Sequence, residues 1–115
     1  MSRAPTTSDV FNAIAEPRRR EIVTLLAGGG SRSVGELVTA LDLAQPAVSK
    51  HLAVLRAVGV VSVRKEGKSR LYALNPAELK PVYEWTKQFE RLWGAQLDRI
   101  RERAERKARE RTQRN

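Results

Sequence analysis

The segment QPAVSKHLAVL, residues 45–55, sets Gln45, Ser49, Lys50 and His51 among small and apolar neighbours. An amide, a hydroxyl and an ammonium within one short stretch are groups that hydrogen-bond to planar edges and anions. Val48, Leu52 and Leu55 recur at i, i+4 and i+7, so a helix here buries that side. The outward arc is centred on Pro46, Lys50, Ala53 and Ala57, with Ala47 and Ser49 on its flanks. Such a face is small and polar, as close approach to a DNA groove requires. A second cluster follows: Arg64, Lys65, Lys68 and Arg70 surround Gly67, and cations packed this closely suit phosphate.

Other chemistry is excluded by what the chain lacks. It has no Cys and one His, so thiolate catalysis, disulfide scaffolds, Cys-ligated metals and multi-histidine metal sites are out. Gly28-Gly29-Gly30 lacks the Lys-Ser/Thr of a phosphate-binding loop, and neither a nucleophile motif nor a pair of catalytic carboxylates can be assembled. The expectation is a protein that is not an enzyme and needs no cofactor and no metal. Its 115 residues are one domain's length, 41% of them hydrophobic. The 22 Lys and Arg against 13 Asp and Glu give a formal charge of +9, so partners should be anionic. No apolar run approaches the roughly 20 residues of a membrane span, and Met1 to Ser8 has no signal-peptide core, which points to the cytoplasm.

These clusters need elements to hold them. Residues 1–7 lack periodicity and read as a mobile arm; Ser8 can cap a short helix carrying Val10, Phe11 and Ile14. Pro17 opens a second helix to about Ala27, with Arg18, Arg19 and Arg20 in its first turn, where they oppose the macrodipole unless an acidic partner or phosphate compensates. Ser33 and Glu36 have capping-box spacing before a third helix over about Val34 to Leu41. After the turn at Asp42-Leu43, a fourth helix runs from Gln45 to about Val58, which predicts a helix-turn-helix. Val61 and Val63 then alternate with Ser62 and Arg64, and a return strand carries Arg70, Tyr72 and Leu74, completing a β-hairpin. From Asn75-Pro76 a long helix, adjusted at Pro81, runs through Trp85, Phe89, Leu92, Trp93, Gln96, Leu97 and Ile100. Its aromatic surface calls for burial against the first helix and a second subunit. Residues 101–115 continue as a basic helical or disordered tail, supported by Glu102 to Arg106 and Glu105 to Arg109 spacings.

The fold expected is mainly α with a small β-hairpin. The segments VFNAIAEPRRREIVTLL and QPAVSKHLAVLRAVGVV, the latter followed at once by the RKEGK turn, resemble the ArsR-type (ArsR/SmtB) winged helix-turn-helix repressors over about residues 8–100. The resemblance implies a homodimer joined through the first and last helices, which would place Val10, Phe11, Ile14, Trp85, Phe89, Leu92, Trp93, Gln96 and Ile100 at the interface. It also implies a repressor of an inverted-repeat operator that releases double-stranded DNA on a signal. The founding members' Cys, Asp and His metal ligands are missing, which leaves a small molecule, a protein or no effector.

With two such helices in successive major grooves, Gln45 can pair with adenine and Lys50 with guanine or a phosphate. Ser49 can meet base or backbone, while Pro46 and Ala47 meet thymine methyls. His51 projects toward the core side and either reaches DNA or hydrogen-bonds within the fold. Arg56 reaches phosphate or pairs on the surface. Arg64, Lys65, Lys68 and Arg70 meet phosphates or the minor groove. Arg32 and Ser33 can add phosphate contacts, although Ser33 serves equally well as a cap. The alternative is a non-specific architectural nucleic-acid binder driven by charge, which would not need the small polar face.

Overall fold

The computed structural model describes residues 6–114; residues 1–5, most of the expected N-terminal arm, lie outside them. Helix α1 (Thr6–Ile14) begins two residues before Ser8, which is therefore inside it and not its cap. Helix α2 (Pro17–Gly29) has Pro17 in its first turn, and the Glu16 carboxylate accepts the Arg19 N–H at 3.1 Å. A two-residue strand β1 (Arg32–Ser33) leads into α3 (Val34–Leu41). The capping box forms as the spacing predicts: Glu36 N–H donates to Ser33 Oγ at 3.2 Å and Ser33 N–H to Glu36 Oε1 at 3.0 Å. Asp42, at φ 54°, turns the chain in the left-handed region into α4 (Gln45–Ala57), which ends one residue before the expected Val58.

Gly59, at φ 85°, redirects the chain into β2 (Val61–Glu66), which pairs with β3 (Ser69–Leu74) around the two-residue loop Gly67-Lys68. Gly67 takes φ 63° at the first loop position, where such hairpins favour glycine. The sheet has three strands in the order β1-β3-β2, all antiparallel. Strand β1 was not expected, because two residues are too few to show a period; Arg32 and Ser33 pair with Tyr72 and Leu71. The core draws on every element so far except β1: Val10 from α1, Ile22 and Leu26 from α2, Leu37 and Leu41 from α3, Val48, Leu52 and Leu55 from α4, and Val61 and Tyr72 from the hairpin. Leu79 and Val82 close it at its edge.

The expected single long helix is three pieces: a 3-10 turn (Pro76–Leu79), α5 (Lys80–Lys87) and α6 (Glu90–Arg114). Pro81 sits in the first turn of α5, where its missing N–H interrupts nothing. The interruption lies instead at Gln88-Phe89. There the Phe89 N–H donates to the Thr86 carbonyl at 3.0 Å in a tighter turn, and the Gln88 side chain donates to the Trp85 carbonyl at 2.9 Å. The chain divides into two compact units, one ending at Val82 and the other beginning at Tyr83, inside α5. Past Tyr72 no described side chain is fully buried. Within the second unit, Trp85 meets Phe89 edge-on at 5.3 Å and Phe89 stacks with Trp93 at 6.3 Å. No described helix is long and apolar enough to cross a membrane.

Candidate nucleic-acid interface

Helix α4 separates its two sides as its sequence dictates. Val48, Leu52 and Leu55 are fully buried, while Gln45, Pro46, Ser49, Lys50, Ala53, Arg56 and Ala57 are exposed and Ala47 is half-buried. Lys50 has no ion-pair or hydrogen-bond partner among the described residues, so its ammonium is free to meet an anion or a base edge. Between α4 and the hairpin runs a groove of about 550 Å³. Ser49, Ala53, Arg56 and Ala57 line it from α4 and Arg70 from β3, with Leu52 and Tyr72 also on its wall. Ser49 from the helix cluster and Arg70 from the hairpin cluster therefore line one shared groove.

The hairpin's register sharpens its charge. Lys65 stands directly opposite Arg70, and like charges facing each other across a ladder destabilise it unless an anion lies between or above them. Lys68 sits at the loop itself. Arg64 differs from its neighbours: Nη2 lies 3.2 Å from Glu66 Oε2 and Nη1 donates to Ser31 Oγ at 3.1 Å. It ties the hairpin to the end of α2 and has spent its charge on Glu66. Sequence reasoning missed Ser31 and Glu66. The i,i+2 spacing of Arg64 and Glu66 on one strand face could have signalled the pair, whereas Ser31 is remote in sequence and gave no signal.

His51 leaves the outward arc, as its projection implied. Its side chain is 21% exposed, with Nδ1 3.5 Å from Arg19 Nη1 and Nε2 3.9 Å from Glu16 Oε2. Arg19 also donates to the Ala13 and Asn12 carbonyls, so one guanidinium joins the end of α1 to α4. Arg32 folds back against Gly29, and Ser33 is engaged in the α3 cap. The Ser33 backbone N–H, then its hydroxyl, hold the Glu36 carboxyl below the usual carboxylate range, with the Arg32 charge acting in the same direction.

Of the expected interface residues, Val10 is only 1% exposed and packs inside its own protomer, because it faces the core from α1. Phe11, Ile14 and Phe89 are half-buried, and Trp85, Leu92, Trp93, Gln96 and Ile100 are exposed.

A three-stranded wing beside a helix-turn-helix with a small polar outer face defines a winged-helix DNA-binding protein. The description "Bacterial regulatory protein, arsR family" fits residues 16–63. The transcriptional repressor SdpR of Bacillus subtilis (strain 168) is 33% identical over 82 residues, covering 71% of this chain and 90% of that protein. The transcriptional activator HlyU of Vibrio cholerae is 41% identical over 75 residues, 65% of this chain and 68% of its own. An ArsR-like transcriptional regulator from Rhodococcus sp. RHA1 superposes with a TM-score of 0.64 at 31% identity, covering 86% of this chain and 92% of that one. The chain belongs to the arsR family of bacterial regulatory proteins. It is a DNA-binding transcriptional regulator and not an enzyme; regulators of this family bind DNA and typically act as dimers.

Proposed function

We propose that the chain is a homodimeric repressor of an inverted-repeat operator, with α4 in the major groove and the β2–β3 wing on phosphate or in the minor groove. One observation carries this reading: Gln45, Ser49 and Lys50 stand exposed on α4 while Val48, Leu52 and Leu55 anchor it, so readers are displayed on a fixed support. In this reading Lys50 and Gln45 read bases, and Ser49, Pro46 and Ala47 complete the contact. Lys65, Lys68, Arg70 and Arg56 meet phosphate. Arg64 holds the wing on Ser31, and His51, through Arg19 and Glu16, sets the angle of α4. Arg32 and Ser33 flank the site, with Ser33 acting through its cap. Phe11, Ile14 and the exposed residues of α5 and α6 join the two copies.

Selection from a random duplex pool at near-physiological salt tests the reading. Enrichment of an inverted repeat with half-sites about one helical turn apart is the expected result. Binding that enriches no sequence and fades uniformly with salt would establish the architectural alternative.

A further inference from the structure

We propose that the C-terminal half of α6 is a second DNA-binding surface, a helical stripe of cations that follows duplex phosphates without reading sequence. Residues 99–114 carry eight Lys and Arg against Glu102, Glu105 and Glu110, so they hold five of the chain's nine net positive charges. The helix continues to Arg114, which makes α6 a 25-residue rod of about 37 Å. On that rod Arg99, Arg103, Arg106, Lys107 and Arg111 recur at i, i+4, i+7, i+8 and i+12 and share an arc of about 140°. Glu102 and Glu105 fall outside this arc, and Glu110 alone lies within it. Arg103, Lys107 and Arg111 flank a shallow depression of about 290 Å³ lined also by Ile100 and Ala104.

Two observations separate this stripe from an ordinary solvated charge run. The i,i+4 spacing from Glu102 to Arg106 would neutralise part of it, yet that pair does not close; no ion pair involves an α6 cation among the described residues. The cations are thus left for an external anion. Beyond Ile100, Ala104 and Ala108 are the only apolar residues, so the segment lacks the large apolar face with which a helix enters a lipid surface. A polyanion recognised by charge alone fits, and duplex DNA is the polyanion this family binds. From Arg99 to Arg111 the helix rises about 18 Å, comparable to about five base pairs.

The test compares the full chain with R103Q/R106Q/K107Q/R111Q and with R101Q/R109Q, which removes cations from other arcs of the same helix. Gln keeps helix propensity, and circular dichroism checks that α6 persists. Binding to a fluorescent random-sequence duplex is titrated across salt concentrations. The stripe variant is expected to show a salt slope shallower by about 3 to 4, roughly 0.9 for each phosphate no longer neutralised, and the control variant a slope near that of the parent. Equal slopes for parent and stripe variant would overturn the proposal, as would equal losses in the two variants. Stripe-dependent binding to phosphatidylserine vesicles with an unchanged DNA slope would assign the face to lipid and also overturn it. Because the duplex is random, the absence of a specific operator would leave this result intact.

Discussion

The Nη1 of Arg20 donates to the Ile14 carbonyl at 2.9 Å, and the same nitrogen reaches Ala15 at 3.0 Å. This bond accounts for one of three arginines placed where the α2 macrodipole disfavours them. The start of α2 is also the end of α1, whose last carbonyls have no helical partner and carry partial negative charge. Arg19 and Arg20 satisfy them, and only Arg18 pairs with a carboxylate, Glu21 at 3.2 Å. The compensation that the sequence left open between an acidic partner and phosphate is supplied within the fold: Arg19 and Arg20 cap the preceding helix and Arg18 meets Glu21.

Arg20→Ala should lower unfolding stability by about 1 kcal/mol, as lost hydrogen bonds of this kind do, and leave DNA affinity unchanged. Arg19→Ala should cost about as much or more and also weaken DNA binding, because it releases His51 on α4. Urea denaturation and a DNA titration on the two variants separate these outcomes; equal DNA affinity in both would remove Arg19 from the support of α4.

Much of this was legible because short-range rules applied. The Ser33–Glu36 box, the Val48, Leu52 and Leu55 stripe and the Gly67 turn all follow from residue types at fixed offsets, and each stands where its spacing put it. What was not legible depends on partners far along the chain or on a local turn inside a periodic stretch. Strand β1 exists because Arg32 and Ser33 meet Tyr72 and Leu71, about forty residues on. The break between α5 and α6, where the Phe89 N–H turns to Thr86, was concealed by helical periodicity through both tryptophans. Arg64 looked like one wing cation among four until Ser31 and Glu66 were found beside it.

The capping box makes a pH-dependent prediction. Hydrogen bonds from Ser33 lower the Glu36 value beneath its ordinary 4.5, so the folded state binds this proton less readily than the unfolded chain. The stabilisation is complete above about 4.5 and is lost as pH falls through the lower, folded-state value. Glu36→Gln should therefore flatten that part of the acid limb of stability against pH. Ser33→Ala should cost about 1 kcal/mol at neutral pH, as lost N-caps do. Denaturant titrations from acid to neutral pH measure both, and an unaltered acid limb in Glu36→Gln would show that the box contributes nothing to acid stability.

Lys50 and Lys68 divide base reading from charge. Lys50→Ala should cost roughly 1–3 kcal/mol on the selected operator and relax preference at one base position, whereas Lys68→Ala should weaken all sequences alike and reduce the salt slope by about 1. Titrations on operator and scrambled duplexes distinguish them. Identical losses on both duplexes for the two variants would remove α4 from sequence reading.

Phe89 and Leu92 both belong to the proposed dimer face, but they are not equivalent tests of it. Phe89 is half-buried and lies between the rings of Trp85 and Trp93, so a charge there also disrupts the stacking within its own chain. Leu92 is 61% exposed, so Leu92→Glu places its charge where only a second copy would exclude water. The variant should keep its helical content, elute and scatter light as a monomer at micromolar concentration, and bind an inverted repeat far more weakly, since a lone winged helix engages one half-site. A Leu92→Glu protein that remains a stable dimer in light scattering would move the contact away from α6.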